Sequence, residues 1–280
     1  MSDTENFDRI GLIAGSGNLP LLILEECKKK GIKPFIILMK DFAKEENYKD
    51  FHHITINFGD VGKGLSFFQK NKIKYVLFAG AVKKPQLKTI WPDLKGFSLL
   101  LKLLKCKIFG DNEILQTVIN FLEQENFKVL PVDSILDTAN ISQGIAGNIN
   151  LPDEDYQKDI DLGIKLLRHI SDFDIGQSVI IQNGMVIGIE CIEGTQELIN
   201  RCGQIKYNTG RKPILVKIKK TKQTRKADLP AIWEDTIKQI KTAGFAGLAI
   251  DFENTLVINK EETIKLANKE GLFIIGIKNK

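Results

Sequence analysis

Residues 10–31 read IGLIAGSGNLPLLILEECKKKG, and this stretch decides the fold. Ile10 to Ala14 is a short apolar run that stops at Gly15-Ser16-Gly17. Leu19 to Lys30 then has the character of a helix and ends at Gly31. A strand, a glycine turn and a helix in that order open a βαβ unit, the element from which parallel sheets are built.

Downstream, the same alternation recurs. Pro34 to Met39 predicts a second buried strand and Ile54 to Ile56 a short third. Val61 to Lys70 has helical spacing through Val61, Leu65 and Phe68, and it leads into a strand from Tyr75 to Ala79 that stops at Gly80. Leu99 to Leu104 and Ile114 to Leu122 predict two more helices, the second opened by Asp111 or Asn112, and Val129-Leu130 closes the sheet. Pro131 to Pro152 is turn-rich, which places a domain boundary there. Beyond it, Asp155 to Ile170 is an amphipathic helix. Ser178–Ile181 and Met185–Glu190 form a hairpin through Asn183-Gly184, a pair suited to a type I′ turn. Strands over Pro213–Ile218, Leu248–Ile250, Thr255–Ile258 and Leu272–Ile277 alternate with helices over Thr195–Arg201, Trp233–Thr242 and Glu261–Lys269. The expected fold is two α/β domains: an N-terminal Rossmann-like parallel sheet over residues 1–134 and a C-terminal mixed-sheet domain over residues 135–280.

Composition narrows the function classes. A chain of 280 residues with 43% hydrophobic and 27% charged residues is an ordinary folded protein, not a disordered, collagenous or bare coiled-coil one. Its net charge of +5 is too small to imply nucleic-acid binding without a concentrated patch. The apolar stretch Gly11 to Leu24 is too short for a membrane span and is broken by glycines and Pro20. Met1 to Arg9 lacks the pattern of a secretory signal, so the expected compartment is the cytoplasm. Cys27, Cys106, Cys191 and Cys202 form no zinc spacing and read as reduced, partly buried thiols.

Candidate chemistry clusters at strand ends. Gly15-Ser16-Gly17 suits a phosphate or a nucleotide edge at a helix N-terminus, or answers to steric need alone. Pro20 stands where the dinucleotide fingerprint has its third glycine, which disfavours a nicotinamide-dependent dehydrogenase. After Ala79-Gly80-Ala81-Val82, Lys83 and Lys84 are candidates for phosphate contact or a solvated pair. Asp111 either meets a ligand or caps its helix. Glu190, Glu193 and Thr195 lie at the far end of the hairpin, where carboxylates could hold a hard cation. Lys217 to Lys226 is a basic stretch that suits an anionic substrate or surface, or a solvated loop, and it is followed at once by Ala227-Asp228-Leu229-Pro230, where Asp228 is a carboxylate beside many positive charges or a turn residue before proline. The three histidines, His52, His53 and His169, sit in no nucleophile motif, which leaves carboxylate-plus-metal chemistry as the most economical option.

Taken together, Gly11 to Pro20, Ala79-Gly80-Ala81-Val82 with Pro85, Gly110-Asp111-Asn112, Asp174-Ile175-Gly176-Gln177, Glu190 with Glu193-Gly194-Thr195, and Arg225 with Asp228-Leu229-Pro230 resemble one family in order. It is the UDP-2,3-diacylglucosamine pyrophosphatase family of the LpxI type, from lipid A biosynthesis. The resemblance implies a magnesium-dependent hydrolase that splits UDP-2,3-diacylglucosamine into UMP and 2,3-diacylglucosamine 1-phosphate, lipid X. It implies Asp228 as the catalytic and Mg2+-binding residue, with Arg225 beside it. Substrate contacts fall on Gly15, Ser16, Gly17, Leu19, Gly80, Lys83, Asp111, Gln177, Glu193, Thr195 and Lys217. It further implies peripheral contact with the inner membrane from the cytoplasmic side, no nucleic-acid partner and, by analogy, a homodimer. Gln196 stands where the family has an aspartate, Trp233 where it commonly has glycine, and Lys226 where it often has a second arginine. A non-catalytic nucleotide-sugar or lipid-binding protein of the same fold is the competing expectation.

Overall fold

The structure is a computed structural model that describes residues 8–82, 90–104, 111–173, 175–220 and 230–278, excepting the side chains of residues 111 and 112. The chain divides into two compact units, one running to Leu136 and the other beginning at Asp137.

In the first unit, β1 (Arg9–Ala14), β2 (Lys33–Met39), β3 (His52–Ile56), β4 (Tyr75–Ala79) and β5 (Lys128–Val129) form one sheet in the order β3-β2-β1-β4-β5. All its neighbouring strands are parallel. Parallel strands must be covered on both faces, which is why Ile10, Leu12, Ile36, Leu38, Val76 and Leu77 are fully excluded from solvent. The chain builds outward from β1 to one side and then returns to place β4 on the other. The carboxyl ends of β1 and β4 therefore form the switch point where open α/β sheets receive ligands.

Among the described residues of this unit, the α-helices are α1 (Leu19–Lys30), α2 (Val61–Lys70), α3 (Leu94–Leu104) and α4 (Asp111–Gln124). Gly31 closes α1 in the left-handed conformation, and Lys28, Lys29 and Lys30 sit where the helix dipole favours cations. Helix α3 begins five residues earlier than hydrophobic spacing predicts. The cause is Asp93, whose Oδ1 accepts the Gly96 N–H at 2.7 Å as a cap, while Oδ2 accepts the Gly62 N–H at 2.6 Å. His52 is structural: its ring packs against Phe35 and Phe67, with centroids 5.1 and 5.4 Å away.

The second unit carries a six-stranded sheet in the order β7-β14-β12-β10-β8-β9. Its strands are β7 (Gly144–Ala146), β8 (Ser178–Gln182), β9 (Met185–Ile189), β10 (Ile214–Lys217), β12 (Gly247–Asp251) and β14 (Phe273–Ile277). The central β10, β12 and β14 run parallel, and β8 and β7 flank them antiparallel. Alternate residues feed two cores. Ile180, Leu215, Leu248 and Ile274 pack with α6 (Gly194–Ile205), α7 (Glu234–Thr242) and α8 (Lys260–Glu270). Val179, Val216, Ala249 and Ile275 pack with Tyr156, Ile160 and Leu167 of α5 (Asp155–Ile170). Asn183 and Gly184 turn the β8–β9 hairpin with φ of 54° and 75°, as the type I′ reading requires.

Two features depart from the sequence reading. The turn-rich segment contains β7 and β6 (Thr138–Ala139), and Leu256–Ile258 is β13 of a separate small sheet in the order β11-β13-β6, where β11 is Ala231–Ile232. Strands of two or three residues lack enough alternation to show in sequence; distant partners define them. Cys27 and Cys202 are buried free thiols, with burial pushing Cys27 up to about 12 and Cys202 above its ordinary value. Cys191 is an exposed free thiol, and Cys106 lies outside the described residues. Among the described residues, no helix is long and apolar enough to cross a membrane.

Candidate functional site

At the switch point of the first unit, the loops after β1 and β4 are joined by their backbones. Gly15 N–H donates to Ala79 O at 2.8 Å, Ser16 N–H to Ala81 O at 2.8 Å, and Ala81 N–H to Ser16 O at 2.9 Å. Ser16 Oγ adds a bond to Ala81 O at 2.9 Å. A side chain on Gly15 would put its Cβ 2.5 Å from Ala81 O, and one on Gly80 would lie 2.5 Å from Ser16 O. These two glycines are required by close backbone approach. The N–H groups of Gly15 and Ser16 are spent on this junction, so the nearest N–H toward the helix start that the junction leaves is that of Gly17. Gly17 has φ of 92° and no atom within 4 Å of where a Cβ would stand, which keeps the space over the α1 N-terminus clear beside Leu19.

The second unit gathers side chains at the carboxyl edge of its sheet. Antiparallel register sets Ser178, at the start of β8, opposite Lys217, at the end of β10. Glu190 follows β9 and is held by its own backbone, donating N–H to Ser178 O at 2.9 Å and accepting Gly176 N–H at 3.0 Å. Thr195, in the first turn of α6, lies at the centre. Lys217 Nζ donates to Thr195 Oγ1 at 2.8 Å, and Thr195 Oγ1 donates to Glu190 Oε1 at 3.1 Å. Because a threonine hydroxyl has one proton, its contact with Ser178 Oγ at 3.3 Å takes its proton from the serine.

Burial raises the stakes of this cluster. Lys217 and Glu190 are 6% and 7% exposed, and Glu190 Oε2 is buried with no hydrogen-bond partner. An ammonium and a carboxylate bridged by one hydroxyl offset each other's charge, yet one carboxylate oxygen remains unsatisfied in a low-dielectric place. This is a hard acceptor suited to a ligand donor or a cation.

The other residues expected at the site divide into three groups. Gln177 stands next to the cluster, its carbonyl accepting Ile218 N–H at 3.0 Å. Glu193 is turned elsewhere: its carboxylate accepts Arg201 Nη2 at 3.0 Å and the Cys191 N–H at 3.2 Å. Desolvation raises the Glu193 carboxyl, but backbone N–H groups and Arg201 outweigh it and leave its pKa below the ordinary value. Lys83, Arg225 and Asp228 lie outside the described residues, as does the side chain of Asp111, whose backbone opens α4. Lys84, Pro85 and Asp174 lie outside them too.

Ser178 was not legible as a site residue in sequence, since a serine opening a strand carries no signal of its own. Only the hairpin register, which could have been read through Asn183-Gly184, sets it beside Glu190. Among the described residues, no three His, Cys, Asp or Glu side chains gather to hold a metal ion. Within this cluster, among the described residues, Glu190 Oε2 is an unpartnered hard oxygen donor, compatible with magnesium, which commonly takes one or two carboxylates plus substrate phosphates.

Comparison with known proteins covers both units. A family model described as the LpxI N-terminal domain matches residues 9–139, and one described as the LpxI C-terminal domain matches residues 142–275. A protein of Caulobacter vibrioides named UDP-2,3-diacylglucosamine pyrophosphatase LpxI is 28% identical over 274 residues, covering 96% of this chain and 97% of that one. Among solved structures, the biotin carboxylase domain of a thermophilic 2-oxoglutarate carboxylase bound to ADP aligns with TM-score 0.26 and 12% identity. That alignment covers 72% of this chain and 41% of the other, and a likeness so slight carries no argument.

Proposed function

The chain belongs to the LpxI family, and from that premise we propose that it hydrolyses the pyrophosphate of UDP-2,3-diacylglucosamine to UMP and lipid X with Mg2+. The observation that carries this reading to particular atoms is the buried Lys217–Thr195–Glu190 chain at the sheet edge. Pyrophosphate hydrolysis adds water across the P–O–P bridge: the water oxygen bonds to one phosphorus and the bridging oxygen leaves on the other. The need is to neutralise charge on non-bridging and departing oxygens. Lys217, oriented by the Thr195 hydroxyl, supplies fixed positive charge for a phosphate oxygen. Glu190 holds that hydroxyl in its accepting orientation toward Lys217, and its Oε2 is the described donor that suits magnesium. When bound, magnesium supplies Lewis-acid polarisation of phosphoryl oxygens. Asp228 is assigned as its principal protein ligand and Arg225 as an added cation, both by family resemblance. Gly17 N–H at the start of α1 is assigned to the nucleotide, consistent with anion binding at helix N-termini.

The substrate carries a soluble nucleotide on an amphiphilic lipid, which supports action at the cytoplasmic face of an inner membrane with peripheral attachment. The test is magnesium-dependent UMP release from UDP-2,3-diacylglucosamine in detergent micelles. The parent protein releases UMP, and Asp228→Ala, folded by its far-ultraviolet circular dichroism, loses about a thousandfold or more of the rate, in keeping with the loss of a metal-holding group. A folded parent that binds substrate without turnover would instead make it a binding protein of the same fold.

A further inference from the structure

Strand β12 of the second unit ends on Asp251, a fully buried carboxylate. Parallel register sets Ile250 opposite Lys217, so Asp251 stands one residue past the level of Lys217, at the same carboxyl edge of the sheet. A buried carboxylate is costly unless it is bonded, and Asp251 spends bonds on closing the turn that follows it. Oδ1 accepts the Glu253 N–H at 3.1 Å, Oδ2 accepts Asn254 Nδ2 at 3.0 Å, and the Asp251 carbonyl accepts the Thr255 N–H at 2.8 Å. An aspartate ties a turn in this way, its side chain bonding backbone two residues on.

The turn delivers the chain to β13, whose first residue, Leu256, donates its N–H to Pro230 O at 2.9 Å. β11 lies beside β13 in the small sheet, with Ala231 opposite Leu256 and Ile232 opposite Val257. Ile232 and Val257 are fully buried, so packing holds this pairing as well as hydrogen bonds. The place of Pro230 is thus set by the register of β13, and the start of β13 by the Asp251 turn. Asp228 precedes Pro230 by two residues in sequence, a tether of about 7 Å at most. The turn therefore links the sheet edge that carries Lys217 to the anchor point of the segment that carries Asp228.

We propose that Asp251 is a positioning residue for the reaction: its turn, acting through the β13–β11 pairing, holds the backbone at Pro230, so that Asp228 binds a divalent cation without the full cost of ordering its segment. A ligand group whose backbone is already placed loses less entropy on binding, and affinity rises by that difference. This rests on the reading of Asp228 as a metal ligand and deepens it by naming what orients that ligand. It requires no contact between Asp251 and the cation.

The experiment titrates the full-length protein with Mn2+, a paramagnetic stand-in for Mg2+, and reads bound metal by electron paramagnetic resonance. It compares the parent with Asp228→Ala, Asp251→Ala, Asp251→Asn and Asn254→Ala, with urea midpoints and the Mg2+ concentration for half-maximal UMP release measured in parallel. Asp228→Ala should lose the Mn2+ site. Asp251→Ala should weaken Mn2+ binding about tenfold and raise the half-maximal Mg2+ concentration by a similar factor. Asp251→Asn keeps an acceptor for the Glu253 N–H and should return both values to within about threefold of the parent. Asn254→Ala removes only the bond to Oδ2 and should weaken Mn2+ binding about threefold, which decides the matter if Asp251→Ala does not fold. A folded Asp251→Ala or Asn254→Ala with parental Mn2+ affinity, whatever its urea midpoint, overturns the proposal and makes the turn structural only. Equal weakening by Asp251→Ala and Asp251→Asn overturns it too, since the effect would then lie in the charge and not in the turn. So does a parent that binds no Mn2+, or an Asp228→Ala variant that binds it as the parent does. A parent that shows the expected Mn2+ pattern yet never releases UMP would leave the positioning role standing and remove the pyrophosphatase reading.

Discussion

Two carboxylates are buried at opposite ends of the β8–β9 hairpin, and they are satisfied in different ways. At the turn end, Asp159 is 1% exposed and both its oxygens are used: Oδ1 accepts Gly184 N–H at 2.7 Å and Oδ2 pairs with Arg211 Nη2 at 3.4 Å. At the open end, Glu190 is 7% exposed, shares Oε1 with Thr195, and leaves Oε2 without a partner. The first ties α5 to the hairpin turn. The second is a buried polar group that folding alone does not complete. A group satisfied within the fold argues for stability, whereas one left incomplete beside an oriented ammonium argues for a ligand.

Neutralising each carboxylate with its near-isosteric amide gives the sharpest test of this contrast. Asp159→Asn should cost about 2 kcal/mol in urea unfolding, because the buried charged contact with Arg211 is lost while Arg211 keeps its ion pair with the more exposed Asp155 at 2.9 Å. Turnover per folded molecule should stay within about twofold, since nothing at that end of the hairpin faces the cluster. An unmoved urea midpoint would break the comparison at its structural end.

Glu190→Gln should behave inversely. Its urea stability should change by less than about 1 kcal/mol, because relief of the carboxylate oxygen that lacks a partner offsets the lost compensation of the Lys217 ammonium. Magnesium-dependent UMP release should fall about tenfold or more, corresponding to roughly 1.4 kcal/mol of transition-state stabilisation. Full activity with lowered stability would show that Glu190 is structural like Asp159.

The smallest effect concerns Glu193, whose carboxyl is held below its ordinary pKa with Arg201 beside it. A depressed native pKa means that the contribution to stability is complete above the ordinary glutamate value and is lost as pH falls through the lower native value. Urea midpoints of the parent and Glu193→Gln should therefore converge across that acidic window and differ slightly above it. No convergence would show that Arg201 does not stabilise the loop before α6.

The parallel sheet of the first unit was legible residue by residue, because strands buried on both faces read as apolar runs and glycines mark their ends. The β8–β9 hairpin was legible for a local reason as well, since Asn183 and Gly184 tolerate positive φ. The start of α3 was missed because its cap, Asp93, serves Gly62 from another helix at the same time. Expected contacts were partly sorted by geometry: Thr195 and Lys217 meet, Glu193 turns to Arg201, and Gly15 spends its N–H on Ala79.

Sequence alone determined the alternation of strands and helices, the glycine turns and the family resemblance, because periodicity and turn chemistry act over a few neighbouring residues. Tertiary structure decided which polar groups complete one another. Ser178, Glu190, Thr195 and Lys217 converge only through antiparallel register and the seating of α6. The unfilled oxygen of Glu190 is likewise a property of burial, a quantity set by distant chain segments rather than by spacing along the chain.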